Sequence, residues 1–217
     1  MGKRLLSPAQ DDAVDQLLRP SRLWSAAELW ASSAPIPRSP GIYAWYFDEI
    51  PPGVPAGDCH GTSDGLILLY VGISPREPKG AKPAGTRTIR HRLRDHLKGN
   101  AEGSTLRLTL GCLLAERLGI RLRRVGSGSR YTFTNPGEIV LDKWIGAHAH
   151  LAFAAIEKPW EVEDHLLSTL SLPLNLGGNR THAYAAELSG MRLLAKRGAD
   201  AMPVVVDSGG KRREAAA

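Results

Sequence analysis

Two short apolar runs divided by a breaker-rich segment constrain this chain more than any other feature. "GIYAWYF", Gly41 to Phe47, and "LILLYVGI", Leu66 to Ile73, are rich in β-branched and aromatic residues and read as strands. Between them, "DEIPPGVPAGDCHGTSDG" at 48–65 is dense in Pro, Gly and Asp and reads as a long loop. Strands joined in this way predict an antiparallel hairpin with an inserted excursion. Each run carries a tyrosine close to a glycine, and neighbouring strands would bring Tyr43 and Tyr70 together.

The rest of the chain supplies helices around such a sheet. Ser7-Pro8 starts "AQDDAVDQLLR", and Ser25 with Glu28 makes a capping box before "LWASS". "APIPRSP", 34–40, can only be an extended connector. After the loop "SPREPKGAKPAG", a helix begins near Thr86 or Thr88, and Ile89, Leu93 and Leu97 give it one apolar stripe ended by Gly99-Asn100. "STLRLTLGCLLAERLG" reads as one helix from Ser104 to Gly119, and "IRLRRVGSGSRYTFT" as a hairpin about Gly126-Ser127-Gly128. A helix restarts at Asn135-Pro136, "HLAFAAIE" is a third core strand, and Pro159 opens the helix "PWEVEDHLLSTL". A last helix spans roughly 183–196, and the polar tail "DSGGKRREAAA" reads as mobile. No internal repeat is present.

Composition bounds the partners. At 217 residues the chain can bury one good core with decorations. It has no apolar run long enough for a membrane span, and its first residues lack the apolar stretch of a secretory signal. Cys59 and Cys112 are too few and too far apart for a disulfide framework or a zinc site, which fits the reducing cytoplasm. The net charge is +6, but 14 of the 28 Lys and Arg residues lie between Arg76 and Arg130, against four acids. Such a block suits a polyanion such as nucleic acid, because each phosphate neutralised releases condensed counterions. It equally describes a solvated basic surface.

Among residues able to carry chemistry, Arg92 and His96 are spaced i, i+4 and project from one helix face beside the apolar stripe, where side chains line the floor of a cleft. Arginine offers a permanent, planar cation to phosphate, and histidine exchanges protons near neutral pH. Glu163 is adjacent to the stripe Val162, Leu166 and Leu170, and a carboxylate there suits Mg²⁺, which takes one or two protein carboxylates plus waters and phosphate. Asn175, before the bend at Gly177-Gly178, can tie down turn backbone. Cys59-His60 and His148-x-His150 lack the ligand spacing of structural zinc, "GSGS" at 126–129 lacks the context of a phosphate-binding loop, and there is no G-x-S-x-G nucleophile motif.

In chain order these residues are Gly41-Ile42-Tyr43, Tyr70-Val71-Gly72, Arg92 with His96, Glu163 and Asn175. That order resembles the GIY-YIG nuclease superfamily, with "GIY" intact and "YVG" a conservative form of the second tripeptide, over roughly residues 38–180. The resemblance implies an α+β fold: a small, three-stranded, mostly antiparallel sheet flanked by helices. Here the core would span 38–180, with a helical extension at 1–37 and a helix and tail at 181–217. It implies metal-dependent phosphodiester cleavage with a single Mg²⁺ or Mn²⁺ held by Glu163. Tyr43 would act as base or water positioner, Tyr70 would hydrogen-bond in the site or to the phosphate, and Arg92 would bear on the phosphate. His96 would assist Tyr43, and Asn175 would brace the site. The 27 positions from Tyr43 to Tyr70 exceed the spacing of compact members and resemble the decorated restriction-endonuclease branch, where insertions grip duplex DNA. The expected partner is thus double-stranded DNA, and a cutter of palindromic duplexes is expected to dimerise. The competing readings are a non-catalytic nucleic-acid-binding module on the same fold and a nuclease for single-stranded or branched substrates.

Overall fold

In the computed structural model, residues 6–62, 64–80 and 83–206 are described. The expectation for the tail at 207–217 lies outside them. The element order is α1 (Pro8–Leu18), β1 (Trp24–Ser25), α2 (Ala26–Ala31), β2 (Gly41–Phe47), β3 (Ile67–Ser74), α3 (Ile89–Lys98), α4 (Thr105–Leu113), α5 (Ala115–Leu118), β4 (Arg123–Val125), β5 (Arg130–Thr132), α6 (Thr134–His148), β6 (Ala149–Ala155), α7 (Pro159–Thr169) and α8 (Ala185–Asp200). The main sheet runs β1-β6-β2-β3 with every pairing antiparallel, and β4 and β5 form a separate hairpin.

The all-apolar reading of "GIYAWYF" is explained by its place. β2 lies between β6 and β3, and every one of its residues is buried. Successive side chains point to opposite faces, so Tyr43, Trp45 and Phe47 join one apolar layer with Ile89, Leu93 and Leu97 of α3. Ile42, Ala44 and Tyr46 join the other with Leu17 of α1 and Val162 and Leu166 of α7. Tyr46 donates its hydroxyl to the Leu17 carbonyl at 2.7 Å, on the face away from Tyr43. The register sets Tyr43 opposite Gly72 and Trp45 opposite Tyr70, then shifts so that Tyr46 faces Leu68. Leu69 is the extra residue of this bulge, and both Leu69 and Tyr70 pack toward the α3 layer.

Two sequence expectations change. The sheet has four strands and not three, because Trp24 and Ser25 pair with Leu151 and His150 before Ser25 caps α2. The segment 104–119 is two helices. α4 stops at Leu114, whose ψ of 2° leaves the helical region, and α5 closes on Gly119 with φ +63°. Every residue from Leu106 to Leu114 is buried, all round the helix and not on one face, so α4 is enclosed on every side, whereas none of α5 is buried.

Gly41 seats the helix that carries Arg92. A Cβ there would lie 2.2 Å from the Ala154 carbonyl oxygen and 2.3 Å from Cδ1 of Ile89, the first residue of α3. Gly41→Ala therefore costs about 1–3 kcal/mol through overpacking. In a chain of this size that lowers the melting temperature by about 2–4 °C per kcal/mol, read by thermal denaturation.

Candidate active site

α3 is started by Thr88, whose side chain accepts from the His91 amide. Its arginines diverge. Arg90 donates to the carbonyls of Ile36 and Ala34 and anchors the extended connector, whereas Arg92 lines a cleft and donates to the Gly103 carbonyl at 3.0 Å. One helical turn on, His96 is fully buried behind the cleft and not at its edge. The Tyr43 hydroxyl meets His96 Nε2 at 2.8 Å, and His96 Nδ1 meets Ser104 Oγ at 2.6 Å. Ser104 is the N-cap of α4 and accepts from the Arg107 amide. The chain Tyr43–His96–Ser104 thus runs from the cleft into the core.

A buried ion network fixes the inner end of this chain. Arg107, with a fully buried side chain, pairs with Glu138 at 2.7 Å and Asp142 at 2.8 Å and donates to the His96 carbonyl at 3.0 Å. Burial, with the charges of Arg92 and Arg107, holds His96 well below the ordinary imidazole range, so its ring is neutral. Burial and the neighbouring Tyr70 push the Tyr43 phenol up, opposed by the charge of Arg92. Gly72 is what lets the Tyr43 ring fold across β3, since a Cβ there would lie 2.5 Å from the Tyr43 hydroxyl oxygen.

The cleft, of about 470 Å³, is lined by Tyr43 and Tyr70 from the sheet, Arg92 from α3 and Glu163 from α7, with Asn175 behind. Glu163 is separated from its sequence neighbour Glu161, which accepts from Gln10 Nε2 of α1 at 2.6 Å. Burial, and then the charge of Asp164, raise the Glu163 carboxyl to about 7, with Arg76 acting in the opposite direction. Asn175 accepts from the Val71 amide at 2.9 Å and donates to the Val71 carbonyl at 2.8 Å. Because β3 is the edge strand, this side chain takes the place of a further strand there, which makes Asn175 a positioning residue. The structure therefore gathers five of the six residues singled out in sequence at one cleft, and His96 stands directly behind it.

Sequence reasoning missed Ser104 as a partner of His96, the Arg107–Glu138–Asp142 network, and Thr105, Thr109 and Arg192 on the cleft wall. Ser104 carried a signal, since it stands eight positions after His96 at a helix start, but that reads first as a cap. Arg192 carried none, being remote from every motif.

Among the described residues no three or more His, Cys, Asp or Glu side chains group so as to hold a metal. An ion at the cleft would therefore need waters and phosphate oxygens to complete one or two protein carboxylates, as Mg²⁺ does. Glu163 and the adjacent Asp164 present such carboxylates to the cleft, and burial, then the charge of Asp164, leaves the Glu163 carboxylate in need of a cation. No helix among the described residues is long and apolar enough to cross a membrane.

No curated protein and no solved structure matches the chain. A family model does, that of the GIY-YIG catalytic domain, over residues 41–193. The match begins at the glycine that opens β2, runs through both tyrosine-bearing strands, α3 and α7, and ends within α8. By that match over most of its length, the chain belongs to the GIY-YIG catalytic domain family.

Proposed function

We propose that this protein is a divalent-metal-dependent DNA endonuclease that hydrolyses phosphodiester bonds in duplex DNA, in a restriction or defence role. Family membership carries the nuclease-type function. The observation that supports catalysis is the convergence of Tyr43, Arg92 and Glu163 on one cleft, with a neutral His96 hydrogen-bonded behind the phenol. Binding alone needs no carboxylate beside a phosphate-binding arginine, and that favours catalysis over a passive module.

Arg92 bears on the scissile phosphate through its guanidinium, whose charge stays fixed throughout the reaction. Glu163 would hold Mg²⁺ or Mn²⁺, which would supply polarisation of the phosphate and stabilisation of the leaving oxygen. The resting state of Tyr43 is the neutral phenol, so it cannot act as a base by itself at neutral pH. Tyr43 orients the attacking water and takes its proton while passing its own to His96 Nε2. In that step His96 Nδ1–H donates to Ser104 Oγ, so each hydrogen bond keeps a donor and an acceptor. The bound phosphate eases this transfer, since its negative charge offsets the Arg92 charge that adds to burial in holding His96 neutral. Tyr70 completes the wall beside the phosphate, its phenol pushed up by burial against the charge of Arg92.

The basic residues Arg76 and Lys79 on the cleft wall fit a grip on duplex DNA, and recognition of a palindrome would bring two copies together. Cys59 and Cys112 are both free thiols, in keeping with a cytoplasmic location. Tyr43→Phe removes the hydroxyl and keeps the ring packed over Gly72. It is expected to lower kcat by about 10²–10⁴-fold with DNA affinity unchanged. Matched duplex, single-stranded and branched oligonucleotides, assayed with both proteins, check the substrate; preferential cutting of the latter two would overturn the duplex assignment.

A further inference from the structure

We propose that Arg192 holds a second backbone phosphate of the bound strand, next to the scissile one, on the wall of the cleft that α4 and α8 build. This deepens the nuclease reading above and rests on it. α8 packs against α4, and from these helices Arg192, Thr105 and Thr109 line the same cleft as Tyr43, Arg92 and Glu163.

Arg192 differs from the other arginines withdrawn from solvent. Arg107 is matched by Glu138 and Asp142, Arg90 by the carbonyls of Ile36 and Ala34, and Arg92 by that of Gly103. The groups that act on Arg192 are Cys112 and Tyr70. Neither is an anion at neutral pH, for burial pushes the Cys112 thiol up to about 11 and the Tyr70 phenol up as well. A half-buried guanidinium that makes no ion pair is costly unless an anion completes it. Lining the cleft, it is placed to be completed by an anion that the cleft receives.

The position of Arg192 says which anion this is. Tyr70, Arg92 and Arg192 line the same cleft, with the two guanidinium groups carried on separate helices, α3 and α8. A single phosphate group is served by Arg92 and the Glu163-bound ion. A second cation on the wall of the same cleft matches the next charge along a phosphodiester chain, with the Thr105 hydroxyl on that wall as a neutral donor. Further along α8, Lys196 stands 5.2 Å from the Tyr131 ring centroid and Arg197 is exposed, so neither shares the cleft.

The test is salt-dependent binding of a labelled DNA duplex by the full chain carrying Glu163→Gln, in buffer without divalent metal so that no cutting intervenes. In that background Arg192→Gln should weaken binding about tenfold and lower the slope of log Kd against log salt by about one. Arg192→Lys, which keeps the charge, should retain the slope, and Arg197→Gln should retain both slope and affinity. Thermal melting of each variant separates lost contacts from lost folding. A neutral methylphosphonate at the linkage beside the mapped cut should weaken the parent and leave Arg192→Gln unaffected. Unchanged affinity and slope in a folded Arg192→Gln variant would overturn the subsite while leaving the nuclease reading intact. A wild-type chain that neither binds nor cuts DNA would overturn the nuclease reading, and the subsite with it.

Discussion

Glu163→Gln is expected to reduce metal-dependent DNA cleavage by about 10³-fold or more, the scale of losing a metal that stabilises transition-state charge. The substitution keeps the shape of the side chain and removes only its charge. Its effect on stability should be the reverse of its effect on rate. The folded-state carboxyl is raised from 4.5 to about 7, chiefly by burial. Between those values the folded protein holds a proton that the unfolded chain has released, so this group makes stability fall as pH rises through that window. Above pH 7 the wild type keeps an ill-solvated carboxylate that the variant lacks, and Glu163→Gln should melt no lower than wild type there. For the same reason the apparent Mg²⁺ affinity of the wild type should weaken as pH falls below about 7, where proton and ion compete for one carboxylate. Cleavage kinetics, a metal titration and melting curves across pH check the three parts together.

Arg107→Met is the largest expected loss of stability, about 3–5 kcal/mol, because it leaves buried acids without their cation. The Glu138 side chain is 2 % exposed and that of Asp142 10 %, so water cannot replace the guanidinium. Glu138 also accepts from the Ala101 amide at 2.8 Å and the Phe133 amide at 3.2 Å, and so ties the end of the α3 region to the start of α6. Replacing Glu138 by an apolar residue as well would not restore the loss, since those two amides would then be left unpaired. Chemical denaturation gives the magnitude. Arg107 also holds the His96 carbonyl, so any folded fraction of the variant should cleave more slowly than its folded population accounts for.

The parts of this molecule that could be read along the chain are those fixed by local pattern. β2 and β3 announce themselves because strands buried on both faces need uninterrupted apolar residues. α3 and α7 announce themselves by stripes at helical spacing, and the positions beside those stripes point to Arg92 and Glu163. Arg90 and Glu161 differ from them only in where the fold turns them, one to the connector and the other to α1. What escaped is set by contacts remote in sequence. β1 is two residues long and exists because β6 offers an edge, and Ser25 advertises only its capping role. The bulge at Leu69 depends on pairing with β2. The depth of His96 depends on α4 and α6 closing over α3 through Arg107, Glu138 and Asp142, and no periodicity encodes that closure. Arg192 reaches the cleft from a helix that the motifs do not include.

The most direct test of the central claim is incubation of plasmid DNA with wild-type protein and with Glu163→Gln, in Mg²⁺, in Mn²⁺ and in chelator, with the ends of any product sequenced. The structure leads us to expect nicked or linear product with wild type in either metal, none in chelator and next to none with Glu163→Gln, with discrete ends if the role is restriction. Salt-sensitive DNA binding without cleavage in any divalent metal, or undiminished cleavage by Glu163→Gln, would contradict it.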